Sequence, residues 1–567
     1  MKFKSLIAIA FFAAALSLFA ESAVDRVKKA LEEKDYEAAA ANVPAALAEK
    51  PKDFDLHILA GDIYMELGKP DEAISAYKKA VDIDDEETEG LRKLGLAYSA
   101  KGNHTEAVKQ IRRAIKEKEK EAANYLALSQ AYIAADSLVN AEIAINRALE
   151  LDKKSPAAFV AYGDYYFASR VYELARQNYE EALQRDENLL EARQKLATAY
   201  WYLGNTESDP DLANELFTRS LQSWNKITQQ DPKNAKAWFE QGKILFLAKK
   251  YQDAASSLYE FLRQRPSGSI GRWWLAQSLY ELGLCDSAAP QLEIVAREID
   301  TVSAKANLLL ARCYANNKQY DKANAAFANL RANGALDPTD LRIYGQTAFQ
   351  GGDTARALEI WSEVVNKDPE NNCQLMYILG SQYVTLKRYD DAVAMLNKRL
   401  TTGKCSDSLN GKVYYMIGTS YLFNNKTDSA IVNLARAQEL DPSFLYSGVY
   451  LGDAFAQLKQ NDKAEEQFQK VIAAGAANPA MNQGPLTQAY AKLASMKLEQ
   501  KKYAELSKLA SQWASIAPES PYAYLYWAVG AQGSGDTDAA CRNYRKVLQL
   551  DPKNSNARKN LEGLNCK

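Results

Sequence analysis

The amino-acid sequence predicts an all-α solenoid of stacked helical hairpins, and three observations carry that fold class. Tyr64, Tyr98, Tyr132, Tyr166 and Tyr200 recur at a strict interval of 34 residues. Two alanine series keep the same interval: Ala73, Ala107, Ala141 and Ala175, and Ala80, Ala114, Ala148 and Ala182. Within each period, apolar residues recur at spacings of three and four in two stretches of about a dozen residues, the rhythm of a helix face. A fixed period of this length means an array of supersecondary units stacked on their neighbours. Helices this short are marginal alone, so stacking has to stabilise them.

Taken in order, the chain opens on a segment that stands apart. Met1-Lys2-Phe3-Lys4 carries two positive charges, and the 14 residues from Leu6 to Phe19 hold no charge and no proline. Ala20, a small residue, precedes Glu21. That is the shape of a secretory signal peptide, too short for the roughly 20 apolar residues of a bilayer span. Residues 1–20 are therefore expected to be a signal peptide, leaving a mature chain with no transmembrane segment.

A weak unit follows, with Ala39 and Ala46 in phase and Pro51 at its end. From residue 54 the unit is clear. Gly61 and Ala73 stand one on each arm, small enough for the two backbones to approach, and Tyr64 and Tyr77 supply bulk beside them. Gly68-Lys69-Pro70 breaks the chain between the arms, with proline opening the second helix. The same pair of small residues, 12 apart, recurs as Gly242/Ala254, Ala276/Ala288, Ala311/Ala323, Gly345/Ala357, Gly380/Ala392, Gly418/Ala430, Gly452/Ala464 and Ala528/Ala540. Small, small and bulky at this spacing resembles the tetratricopeptide repeat (TPR) family. The resemblance implies a right-handed α-solenoid, a TPR superhelix of about fifteen stacked hairpins, covering nearly all of the mature chain. It is specific for fold and nearly silent on function.

Departures from the period divide the array. Residues 21–234 form an N-terminal block whose last unit carries an insertion near 204–212. Residues 235–486 form a central block, which ends in a junction lengthened between Ala473 and Pro485. Residues 487–567 hold the C-terminal units, with Leu506 where alanine is expected, and a capping helix over Asn556 to Leu564. Insertions between repeats usually map to surface loops.

Composition and motifs exclude more than they assign. Lys+Arg 70 against Asp+Glu 72 gives a net charge of -2, without the basic footprint of a nucleic-acid binder. His57 and His104 are the only histidines. The sequence has no phosphate loop, dinucleotide fingerprint, Gly-x-Ser-x-Gly elbow or His-Glu-x-x-His pair. The acidic run from Asp82 to Glu87 lacks the alternating ligands and turn glycine of a calcium loop, and reads as a solvated junction. No catalytic residue, cofactor or metal is expected, and the chain reads as a non-enzyme.

In TPR arrays the first arm of each unit lines the concave face, at about the second, fifth, ninth and twelfth positions. The resemblance therefore implies a groove lined by Trp201, Phe239, Phe246, Trp273, Tyr280, Phe349, Tyr377, Tyr415 and Tyr446, interleaved with Lys243, Gln277, Arg312 and Arg342. Aromatic and arginine side chains are enriched at binding hot spots; a phase error of one residue would instead turn some rings into the core. The TPR clamp that takes chaperone carboxylates is absent, because the first clear unit offers Ile58 and Asp62 at its places. The resulting expectation is an exported scaffold or adaptor that binds a protein segment in its groove, in the periplasm or associated with the outer membrane of a Gram-negative-type bacterium. Envelope assembly or secretion is the expected setting. A glycan-binding protein that stacks cell-wall or imported saccharide on the same aromatics is the alternative, and the oligomeric state stays open.

Six cysteines in an exported chain raise the prior for disulfides. Sequence alone allows 15 pairings. Hairpin geometry of the TPR kind places Cys285 beside Cys313, Cys373 beside Cys405, and Cys541 beside Cys566, each pair on neighbouring elements. Mass spectrometry of non-reduced peptides from the native compartment is expected to find these three bridges; six free thiols would remove both the pairing and much of the export argument.

Overall fold

The computed structural model describes residues 22–405 and 408–566, so the segment 1–20, expected to be a signal peptide, lies outside the described residues. Among those described, the chain forms thirty-one α-helices, one 3-10 turn at Gly403–Cys405 and no strand. They pair into fifteen hairpins followed by one closing helix, an all-α solenoid. The regular hairpin has arms of 13 and 14 residues, as in Phe54–Glu66 and Pro70–Ile83.

The turn between arms is the same structure in every hairpin but the sixth, where Glu207 stays extended at φ -76°. Gly68 takes the left-handed conformation, its N–H donating to the Met65 carbonyl at 3.0 Å and that of Lys69 to the Tyr64 carbonyl at 2.8 Å. This is the Schellman C-cap. Lys34, Asp136, Arg170, Lys249, Lys318, Lys387, Asn425, Lys459 and Lys501 hold the same place in other hairpins at φ 54–61°. That region costs an L-residue about 1–2 kcal/mol, so cap hydrogen bonds and packing of the arms outweigh the strain. Entry into the arms is capped by side chains such as Asp53, which accepts from the Leu56 N–H at 3.0 Å, and Asp353, which accepts from that of Arg356 at 3.1 Å.

Packing between the arms follows one rule in most hairpins. A small residue on the first arm faces a large one 16 positions later on the second. A Cβ added at Gly95 would lie 2.5 Å from Ile111, at Gly418 2.6 Å from Leu434, and at Gly452 2.5 Å from Phe468. Gly61 faces Tyr77 and Gly163 faces Tyr179 in the same way. Ala73 and Ala80, on either side of Tyr77, are fully buried. The repeated alanines therefore set the distance between arms, and the large residue fills the space left by the missing Cβ.

The insertion near 204–212 is absorbed by helix extension, in place of the surface loop expected from sequence. The two arms run Leu190–Thr206 and Pro210–Gln230, 17 and 21 residues long. Beyond the insertion Ser220 takes the small position, its hydroxyl donating to the Ala197 carbonyl at 2.7 Å, and Trp224 takes the bulky one at 2 % exposure. Between Asn461–Gly475 and Gln483–Glu499 the lengthened junction does form a loop, and Leu506 is fully buried. The closing helix, Ser555–Gly563, buries Ala557, and its Asn560 donates to the Tyr544 hydroxyl at 3.0 Å. Cys285–Cys313, Cys373–Cys405 and Cys541–Cys566 are bridged, with Cα separations of 5.0, 5.3 and 5.7 Å, inside the range a disulfide needs.

The chain divides into two compact units, residues 1–318 and 319–567, a boundary that falls inside the block 235–486. In the first unit the array coils back upon itself. Lys34, in the first turn, forms an ion pair with Asp231; Lys233 Nζ donates to the Glu32 carbonyl at 3.0 Å; and Arg265 pairs with Glu37 at 3.1 Å.

Filling the gap between arms is expected to be costly where a buried ring already occupies it. Gly163→Leu, against the buried Tyr179, should lower stability by at least about 1–3 kcal/mol. Gly403→Ala, with open space around it, should stay within about 0.5 kcal/mol. Urea unfolding followed by circular dichroism measures both.

Candidate binding groove

The first-arm positions come together most closely where the sixth and seventh hairpins meet. Trp201 lies near the end of Leu190–Thr206, and Phe239, Lys243 and Phe246 lie along Ala235–Leu247. The Lys243 ammonium sits 5.5 Å from the centre of the Trp201 ring and 5.8 Å from that of Phe239, and forms an ion pair with Glu240. Phe217 packs on Trp201 at 5.0 Å and Phe261 on Phe239 at 5.3 Å, which fixes both rings. Trp201, Lys243, Glu240 and Thr198 line a cavity of about 180 Å³. It offers a cation held over aromatic faces, a carboxylate and a hydroxyl. Such a cavity can take one side chain with a polar end.

Further along the first unit the stripe is mixed. Phe246 packs between Tyr251 at 5.4 Å and Trp274 at 5.1 Å. Trp273 and Gln277 do not line an open face: they are only 7 % and 8 % exposed, and Trp273 packs with Leu275, Leu279 and Leu292. Neighbouring hairpins enclose the first arm Ser269–Glu281, so of its adjacent tryptophans Trp273 turns into the core while Trp274 stays half-buried against Phe246. Tyr280 packs partly buried on the same core, and Arg312 is half-buried.

In the second unit Arg342 is exposed, and Phe349 packs on Trp361 at 5.5 Å. Tyr377 is half-buried against the cluster around Leu396 and Ile417. Tyr415 lies 4.9 Å from Phe444 and 5.7 Å from Tyr450; burial, then the phenols of Tyr450 and Tyr446, holds its hydroxyl well above the usual phenol range. Tyr446 completes the group, 5.7 Å from Phe444, with its hydroxyl against Gly484.

Several residues of these clusters escaped the sequence reading. Glu240 was legible as the i−3 partner of Lys243 on one helix face. Phe444 lies ahead of its helix, at a place no helical register selects. Asp164 holds a ninth position and accepts from Tyr179 Oη at 2.8 Å and Lys195 Nζ at 2.6 Å. Asp62, three repeats earlier, accepts from Tyr77 and Lys93, both at 2.6 Å. Burial, then the charge of Asp164, keeps the Tyr179 hydroxyl far above the usual phenol range, so it stays a donor. Each aspartate ties its own second arm to the next first arm, and so is engaged within the array.

Hairpins of one register, stacked with first-arm side chains on a shared face, define a helical repeat protein built to bind other chains. A tetratricopeptide repeat model matches residues 92–159, 195–269, 275–340 and 415–479, and a TPR repeat model matches 61–102. The chain belongs to the tetratricopeptide repeat family, whose members are generally non-catalytic scaffolds for protein–protein interaction. A curated relative, the DnaJ homolog subfamily C member 7 homolog of Dictyostelium discoideum, is 21% identical over 349 residues, 57% of this chain and 63% of the relative. The chain thus spans less than two thirds of that relative's length. Among solved structures, a tetratricopeptide repeat protein from Parabacteroides merdae aligns with 46% of this chain and 98% of its own at 16% identity and a TM-score of 0.32. The C-terminal part of a TPR repeat-containing protein from Cytophaga hutchinsonii aligns with 50% of this chain and 98% of its own at 18% identity and the same score. No helix among the described residues is long and apolar enough to cross a membrane.

Trp273→Ala is expected to cost about 3–5 kcal/mol, as for a truncated core aromatic, while Arg342→Ala stays within about 0.5 kcal/mol. Denaturant titration of the two variants separates a packed ring from an exposed groove side chain.

Proposed function

We propose that this chain is an exported, non-catalytic scaffold that binds a segment of a partner protein along its first-arm groove, in envelope assembly or secretion. The observation that carries the reading is the Trp201–Lys243–Phe239 cluster with its adjoining cavity. Tryptophan is among the residues enriched at binding hot spots, and here two successive hairpins bring Trp201 and Phe239 to one place with the Lys243 ammonium over both rings. The charged N-terminal segment with its apolar run supports export, and three disulfides suit an oxidising compartment such as the periplasm. The saccharide alternative gains nothing from the relatives matched.

A photo-crosslinking residue at Thr198, beside the cavity, tests the groove. Irradiation in envelope extract is expected to join it to a discrete polypeptide, and Trp201→Ala with Lys243→Glu should reduce that product at least tenfold at unchanged helicity. A product of equal yield in the double variant would remove the groove from the binding mechanism.

A further inference from the structure

The second arm of the third hairpin, His104–Glu117, presents a feature that the groove does not use. Lys109, Arg112, Arg113 and Lys116 are all exposed and stand at i, i+3, i+4 and i+7, one stripe of the helix. Residues 101–120 hold seven Lys and Arg against three Glu, in a chain whose net charge is -2. The stripe forms one wall of a cavity of about 710 Å³, and Tyr132, Ala135 and Ser137 of the next hairpin form the other. No carboxylate lines this space.

Three of the four cations have only an exposed or a neutral partner. Lys109 has Glu106 at 3.2 Å on its own helix, an exposed pair of little worth. Arg112 donates to the Tyr132 hydroxyl at 2.9 Å and Arg113 to Gln110 Oε1 at 2.8 Å, both neutral acceptors. The flanking Lys101 and Lys118, by contrast, are paired with Asp71 and Glu87. His104, which also lines the cavity, keeps a buried Nδ1 with no hydrogen-bond partner. On the next second arm, the positions equivalent to Thr105 and Lys109 are Val139 and Ile143, 73% and 62% exposed. The same arm also carries Glu142 and, at the position equivalent to Lys116, Glu150, which pairs with Arg147 at 2.7 Å, so the surface beside the stripe is apolar next to its first turns only.

We propose that this face is a second binding site, for an acidic, extended segment of a protein partner, separate from the first-arm groove. The stripe covers about 10 Å along the helix, close to three residues of extended chain at about 3.3 Å each. Carboxylates at alternate positions of such a segment reach successive turns of the stripe. Their charge-assisted hydrogen bonds to Arg112 and Arg113 are the strong kind, while Tyr132, Ser137 and His104 offer polar contacts to its backbone. A lone phosphate would meet only part of the stripe. A flat bilayer would meet Val139 and Ile143 but not the recess at Tyr132 and Ser137.

Fluorescence anisotropy on the full mature chain tests this, with a labelled ten-residue peptide carrying Glu at alternate positions and a second peptide with Gln in their place. The Glu peptide is expected to bind, to weaken as salt is raised, and to lose at least tenfold in affinity in Arg112→Glu/Lys116→Glu. Both residues are exposed, so circular dichroism should be unchanged, and Trp201→Ala should bind as the parent does. Equal binding of the Gln peptide, or parent-like binding by the double variant, would overturn the proposal. So would loss in Trp201→Ala alone, which would move the peptide to the groove. Charge-dependent binding to phosphatidylglycerol vesicles with no binding of the Glu peptide would assign the stripe to a lipid surface and overturn it equally.

Discussion

Everything in this array depends on one close approach, that of a first-arm position lacking a large side chain to a second-arm side chain 16 residues further on. The ring of Tyr77 occupies the space a Cβ at Gly61 would take, and Tyr179 does the same at Gly163. Dense packing at that point sets the distance between arms. The alanines on either side of the bulky residue then let neighbouring helices close around it. Where Gly is absent the pairing survives by exchange, as Ala197 with Ser220 and Trp224 shows after an eleven-residue disruption of the period. The extra residues lengthen both helices because the contact on each side still has to be made in register.

Polar groups tie one hairpin to the next. Asp62 and Asp164 each join a tyrosine of their own second arm to a lysine of the following first arm, at identical spacings three repeats apart. Such a group, half-buried and fully paired, suits register better than net stability. It also takes a groove position out of use, so the surface open to a partner is discontinuous. In the first unit the open part concentrates at Trp201, Phe239 and Lys243; in the second unit Tyr415, Phe444 and Tyr446 form a separate aromatic group.

Charge is distributed by face and by hairpin, although the chain as a whole is nearly neutral. The second arm at residues 104–117 gathers cations on one stripe, whereas the ends of the first unit's coil use them in pairs such as Arg265 with Glu37. Those terminal pairs link residues about two hundred positions apart, between hairpins with no shared core. They lie at the surface, with only Asp231 largely covered, and such pairs are individually weak, so the coil is set by accumulated packing and the ion pairs accompany it.

The sequence by itself determined the class of the fold, the number of hairpins, the place of each turn and the neighbourhood of each cysteine. These follow from local periodicity, since a spacing of three and four makes a helix face and a repeat of 34 makes a stack wherever it occurs. Only the tertiary structure decided that Trp273 and Gln277 lie in the core, because one helical residue is a rotation of about 100° and the enclosing hairpins choose which of Trp273 and Trp274 turns inward. It also decided that the insertion extends helices, that Phe444 joins Tyr415, and that Lys34 meets Asp231. Each of these depends on small rotations summed over several hairpins or on contacts outside any single period, and neither leaves a mark in the spacing of residues along the chain.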